Sequence, residues 1–114
     1  MQWGSAATDA DRAIFLVMKR IQAMRLLEEH ETELKRLGVV RLYMFGSTAR
    51  DEARGDSDVD LFFDHIRGEL GLYELMDIKE LAHTVLDRAT DIMTRSSLHP
   101  MLRGQIEASA VRVF

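Results

Sequence analysis

The sequence predicts an α/β (α+β) fold, a small mixed β-sheet with helices packed on it. Three observations carry this. Short β-branched and aromatic runs recur at Val39–Phe45, Val59–Phe63 and Ala89–Thr94. Between them lie longer stretches whose apolar residues repeat at spacings of three, four or seven. The length of 114 residues, 46% hydrophobic and 30% charged, suits one packed domain spanning 1–114 and leaves no room for a second.

The elements follow in order. Residues 1–8 read as a flexible start. Asp9 is an N-cap candidate for a helix from Ala10 to Leu37, with Val17, Ile21, Met24, Leu27, Leu34 and Leu37 on one face. Gly38 ends it by a left-handed exit. Val39–Phe45 (VVRLYMF) is a buried strand, followed at once by Gly46-Ser47 and a short helical turn from Ser47 to Asp51. Val59–Phe63 is a second strand, and Gly68 and Gly71 mark a loop. Leu72–Leu86 forms an amphipathic helix, with Leu72, Leu75, Met76, Ile78, Lys79, Ala82, Val85 and Leu86 at helical spacing. Ala89–Thr94 is a third strand. A last helix covers Leu98–Ala108, with Pro100 in its first turn, where the missing N–H costs nothing. Val111–Phe114 adds an edge strand.

Composition excludes several classes. No stretch approaches the roughly 20 apolar residues of a membrane helix, and the short apolar run Ala13–Met18 follows acids rather than a basic region. A cytoplasmic protein is expected. The chain has no cysteine, so disulfides, thiolate metal sites and Cys nucleophiles are excluded. The four histidines, His30, His65, His83 and His99, show no metal-ligand spacing. The net charge of −4 argues against a generic grip on nucleic acid. That charge is local. Residues 51–64 hold six acids and one arginine, a net of −5, and the remainder holds 13 acids and 14 bases, a net of +1.

The chemistry gathers around that acidic segment. A glycine and a serine directly after a buried strand, opening a helix, place free backbone N–H groups where a phosphate can sit. Glycine admits close approach to the backbone, and Ser47 adds a hydroxyl. Asp58 and Asp60, two residues apart on a strand, point to the same face. Two neighbouring carboxylates repel unless a cation lies between them, and an all-oxygen donor set suits Mg²⁺. A third acid from an adjacent strand would allow two ions to clamp a phosphoryl transfer. Asp91, the lone acid of ATDIMT, is the candidate.

Gly46-Ser47, ten further residues, then Asp58-Val59-Asp60 resembles the signature of the DNA polymerase β-like nucleotidyltransferase superfamily. The fuller string GSTARDEARGDSDVDL, the preceding RLYMF and the tail DIMTRSSLHPMLRGQIEASAVRVF resemble its smallest members, the minimal nucleotidyltransferases. The resemblance covers residues 20–114. It implies a polymerase β palm-like fold in which Gly46 and Ser47 hold the triphosphate of ATP. Asp58 and Asp60 bind two Mg²⁺ ions, and Asp91 completes the triad, helping to bind one ion and activating the acceptor hydroxyl. Arg50 and Arg54 contact phosphate. Many relatives have glycine directly after the first arginine; here Asp51 stands there. The implied reaction is attack of an acceptor hydroxyl on the α-phosphate, with pyrophosphate leaving.

Size sharpens the acceptor question. The chain leaves no residues for an acceptor-binding domain, so the acceptor comes from a partner, a second copy or a self-held substrate. Minimal nucleotidyltransferases resemble antitoxins that silence HEPN-domain ribonuclease toxins by adding AMP to a tyrosine, and a HEPN-type partner is what the resemblance implies here. Two other classes stay open: a small-molecule enzyme resembling the aminoglycoside nucleotidyltransferases, and a non-catalytic module that covers its partner. Phe15, Leu16, Met18 and Leu26 widen the apolar surface of the first helix and are candidates for a partner or homodimer surface.

Overall fold

The computed structural model of the chain describes residues 19–55, 57–66, 68 and 70–114. The loose start expected at 1–8, the helix expected from Ala10 to residue 18, and Phe15, Leu16, Val17 and Met18 lie outside the described residues. Five helices and four strands follow: α1 Arg20–Glu29, α2 Glu31–Arg36, β1 Val39–Phe45, α3 Gly46–Ala49, β2 Val59–His65, α4 Leu72–Leu86, β3 Thr90–Thr94, α5 Arg103–Ser109 and β4 Val111–Arg112. A 3₁₀ turn, Arg95–Ser97, follows β3.

The strands form one mixed sheet in the order β3-β2-β1-β4. β1 is antiparallel to β2 and β4, and β2 is parallel to β3. The parallel pair requires a crossover, which α4 supplies. Alternation sorts the side chains. Val39, Leu42, Met44, Val59, Leu61, Phe63 and Ile92 join Ala23 and Leu27 of α1, Leu34 of α2, and Ile78, Ala82 and Leu86 of α4 in the buried core. Leu26 packs against that core, partly buried, rather than standing free.

The single helix expected to run to Leu37 breaks at His30, whose φ of −109° and ψ of 18° leave the helical region. The cause is local. The Nδ1 of His30 lies 2.9 Å from the Leu26 carbonyl and, facing an acceptor, donates to it. That carbonyl is the one the backbone N–H of His30 would take in a continuous helix. The N–H bonds Leu27 O at 3.1 Å instead, and the chain turns. Ile21, expected on the core face, is 65% exposed.

α4 matches its expected ends, but its apolar face is narrower. Leu72 and Met76 are 68% and 55% exposed. At 100° per residue they sit about 80° and 120° around the helix from Ala82, the centre of the buried row. The last helix also starts later than expected. Leu98 is extended, at φ −61° and ψ 138°, in the stretch leading to Pro100. His99, the residue before proline, is disfavoured in helical geometry. Its carbonyl instead accepts from both Leu102 and Arg103 at 2.9 Å, and regular helix begins at Arg103. Pro100 therefore lies in the turn before α5. Gly38, at φ +114°, makes the left-handed exit expected of it.

The other sheet face is built differently. Tyr43 and Phe62 stack with ring centroids 4.9 Å apart, and Arg95 lies 4.9 Å from the first ring and 5.0 Å from the second. Arg95 forks onto Asp64, with Nε to Oδ1 at 2.7 Å and NH2 to Oδ2 at 3.0 Å. Its NH1 reaches Glu107 of α5 at 3.1 Å, and Glu107 also accepts from Arg103 at 2.7 Å. The network pins α5 over the aromatic pair. Replacing Arg95 by Leu should cost about 2 kcal/mol at neutral pH, read by urea unfolding. The hydrogen-bonded guanidinium holds the Asp64 carboxyl below its ordinary 3.8. A depressed acid contributes stability above its unfolded value and loses it as pH falls through the lower folded value. The gap between wild type and Arg95→Leu should therefore narrow below about pH 4, leaving the part contributed by the ring contacts.

Candidate active site

β2 is the axis of the site. With Val59, Leu61 and Phe63 turned into the core, the alternate residues Asp60, Phe62 and Asp64 face the opposite side of the sheet, where Phe62 is buried and the two acids are partly exposed, and Asp58, two residues before Asp60, leads onto that side. The register then sets a row. Phe45 pairs with Asp60 across the antiparallel ladder, and Asp60 pairs with Asp91 across the parallel one. Asp91 is thus a direct lateral neighbour of Asp60, as the short ATDIMT strand suggested.

Gly46 follows Phe45 at the end of that row. Its φ is +73°, a conformation natural to glycine and strained for other residues. A Cβ on Gly46 would overlap the Asp60 carboxylate, and its distance to Cγ would be 3.2 Å. Glycine is required twice over, for its dihedral and for its lack of a side chain. The loop that follows is tightly wound: Arg50 N–H bonds Gly46 O at 3.3 Å, Asp51 N–H bonds Thr48 O at 3.1 Å, and Glu52 N–H bonds Ser47 O at 2.8 Å. Ser47 is half-buried in the first turn of α3.

Electrostatics single out Asp60. Burial first, then the charges of Asp91 and Asp58, push its carboxyl up to about 6, and Arg50 pulls the other way. Asp58, Asp60, Asp91 and Arg50 therefore share one field. Arg50 is exposed, with Nε 3.0 Å from Glu52. Arg54 stands apart: it is exposed, its backbone N–H bonds Ser57 Oγ at 2.8 Å, and no contact among the described residues joins its guanidinium to the carboxylates. Among the described residues no three His, Asp or Glu side chains converge closely enough to hold a metal ion. The donor chemistry nonetheless suits one: Asp60, pushed up to about 6 by its burial and by the charges of Asp91 and Asp58, would be relieved by a divalent cation. Beside Gly46 opens a cleft of about 250 Å³, with Phe45 and Arg50 on one wall and Leu102, Gln105 and Ile106 on the other.

Two residues of this region carry no motif. The Asp51 Oδ1 accepts the backbone N–H of Arg20 at 2.7 Å, and the Arg20 guanidinium donates to Ala49 O at 3.3 Å. Asp51 was visible in the sequence as a departure from glycine; its partner 31 residues away was not.

A strand, a Gly-Ser turn and a helix, opposed by an Asp-x-Asp strand with a third acid alongside, define a nucleotidyl-transferring class of domain. Residues 27–113 match the nucleotidyltransferase domain family, and the chain belongs to it. It is similar to a candidate protein adenylyltransferase of Methanocaldococcus jannaschii, 37% identical over 76 residues, 67% of this chain and 81% of that protein. The protein adenylyltransferase MntA of Thermococcus cleftensis is 33% identical over 84 residues, 73% of this chain and 82% of that one. A solved structure described as a candidate minimal nucleotidyltransferase superposes with a TM-score of 0.70 at 34% identity, over 82% of this chain and 95% of its own. The fold also matches a complex of a tri-AMPylated Shewanella oneidensis HEPN toxin with its MNT antitoxin, at a TM-score of 0.57, 17% identity, 80% of this chain and 71% of that one. Among the described residues no helix is long and apolar enough to cross a membrane.

Gly46→Ala should destabilise the protein by about 2–3 kcal/mol in thermal unfolding. The control is Gly104→Ala in α5, where no atom lies within 4 Å of the added Cβ; it should be neutral or gain about 0.5–1 kcal/mol. Asp60 supplies a second test. A raised acid contributes stability that is complete below 3.8 and lost as pH rises through about 6. Without divalent cations, Asp60→Asn should exceed wild type by about 1 kcal/mol at pH ~8, after allowance for solvent screening, and should not exceed it at pH ~3.5.

Proposed function

We propose that this nucleotidyltransferase moves AMP from ATP, with Mg²⁺, onto a hydroxyl of a partner protein, a tyrosine of a HEPN-type toxin, and so acts as an antitoxin. The observation that carries the reading is the row Gly46, Asp60, Asp91, which puts a phosphate-admitting loop against neighbouring carboxylates. The names of the two archaeal relatives support protein adenylylation. The likeness in fold to the MNT antitoxin supports the partner class.

In this reading the backbone N–H groups and hydroxyl of the Gly46-Ser47 turn hold the triphosphate, and Arg50 adds positive charge beside it. The cleft next to Gly46 has a mixed lining, in which Phe45, Leu102 and Ile106 offer apolar surface for the base. Arg54, exposed further along the same loop, is the second candidate contact to phosphate. Asp58, Asp60 and Asp91 would hold two Mg²⁺ ions, which supply charge neutralisation for the transferring phosphate. Asp91 takes the proton of the acceptor hydroxyl as its oxygen bonds the α-phosphorus and the bond to pyrophosphate breaks. The acceptor hydroxyl is supplied by the partner protein.

The test is co-purification with the product of the neighbouring reading frame, followed by mass spectrometry. With ATP and Mg²⁺ the partner should gain the mass of AMP. Asp58→Asn and Asp60→Asn should each lower the rate by about 100-fold or more, and chelation of the metal should stop it. A partner left unmodified by the wild-type protein, or neutralised equally well by the double variant, would overturn the reading.

A further inference from the structure

We infer that Asp51 and Arg20 form a clamp that positions the nucleotide loop from behind, so that ATP meets a loop already held in place. The inference rests on the reading of Gly46–Arg50 as that loop. Asp51 has a φ of +56°, a left-handed conformation that side chains rarely adopt and glycine adopts freely. It is exposed, so packing does not force it there. What the conformation achieves is a bond: Asp51 Oδ1 accepts the backbone N–H of Arg20 at 2.7 Å. Arg20 is the first residue of α1, and its N–H has no partner within the helix. A carboxylate there also meets the positive end of the helix dipole.

The second bond runs the other way. The Arg20 guanidinium donates at 3.3 Å to the carbonyl of Ala49, at the end of α3. The clamp therefore grips Ala49 and Asp51, the two neighbours of Arg50. Its base is firm, because Ala23 and Leu27 of the same helix are fully buried. The stretch 46–52 is thereby tied to the core by two bonds spanning 31 and 29 positions. Ordering the loop before ligand arrives removes an entropy cost from binding.

The geometry supplies its own probes. Asp51→Gly removes the acceptor but relieves the left-handed strain, effects of opposite sign on global stability. Asp51→Asn keeps an oxygen acceptor and tolerates the dihedral. The measurements are amide hydrogen exchange over residues 46–52 in the nucleotide-free protein, and calorimetric affinity for ATP with Mg²⁺. In Asp51→Gly the loop should exchange faster and Kd for ATP should rise about three- to tenfold, the loss expected from one or two hydrogen bonds. Its thermal midpoint should stay near that of wild type, and Asp51→Asn should restore both loop readouts to within about twofold. Exchange and affinity unchanged in Asp51→Gly, or Asp51→Asn as impaired as Asp51→Gly, would overturn the clamp. Wild-type protein that binds no ATP would overturn the assignment of the loop instead, while exchange would still report on the clamp.

Discussion

The site depends on one contact, the Asp60 carboxylate lying against the bare Cα of Gly46. A side chain at that position would collide with the carboxylate, and the φ of +73° would strain it besides. The contact joins the end of β1 to the face of β2, and the ladder register carries the alignment across to Asp91 on β3. A slip of one residue in either ladder would turn its acid toward the helices. The buried row Val59, Leu61 and Phe63 prevents such a slip, because it would carry those side chains into water. Core packing on one face thus holds carboxylates in place on the other.

The two faces divide the work. One is an ordinary apolar core under α1, α2 and α4. The other is narrower, with an aromatic pair, an arginine across both rings and ion pairs to Asp64 and Glu107. Those ion pairs are partly solvated, so their strength lies in geometry more than in charge. The forked contact to Asp64 fixes Arg95, and Arg95 in turn anchors α5. α5 then forms the far wall of the cleft beside Gly46. At the acid end the same face is electrostatically unfavourable, with Asp60 pushed up to about 6 by burial and by its neighbours. Stability lost there is the ordinary cost of grouping like charges for a ligand.

Much of this was legible in the sequence, for physical reasons. β1 and α4 begin and end where their hydrophobic periods do, because each is bounded by glycine or by a change of period. Gly46, Asp58, Asp60 and Asp91 were readable because spacing and strand parity decide which side chains share a face. The two misplaced helix ends share a cause: a side chain or a proline competing for a backbone group. His30 takes the carbonyl its own N–H would use and breaks a helix that periodicity ran straight through. Pro100 delays α5 to Arg103. Leu72 and Met76 show that apolar residues near a helical stripe need not lie on it. The bond from Asp51 to Arg20 joins positions with no periodic relation, and only the folded chain brings them together.

The parallel pairing of β2 with β3 has a consequence for how activity and folding are related. β3 is an edge strand joined to the sheet on one side only, and its return follows the long crossover through α4. Closing that loop forgoes more chain entropy than forming the β1–β2 hairpin, so it comes late in folding and is exposed to early fraying. Asp91 rides on that strand. The third carboxylate is therefore the last of the row to arrive and the first to leave, and a chain with an intact hairpin but a detached edge keeps its fold's centre while Asp60 loses its lateral neighbour. With Asp91 in the role proposed for it, catalytic competence is a report on the edge rather than on the core, and heat should silence the enzyme before it melts the domain.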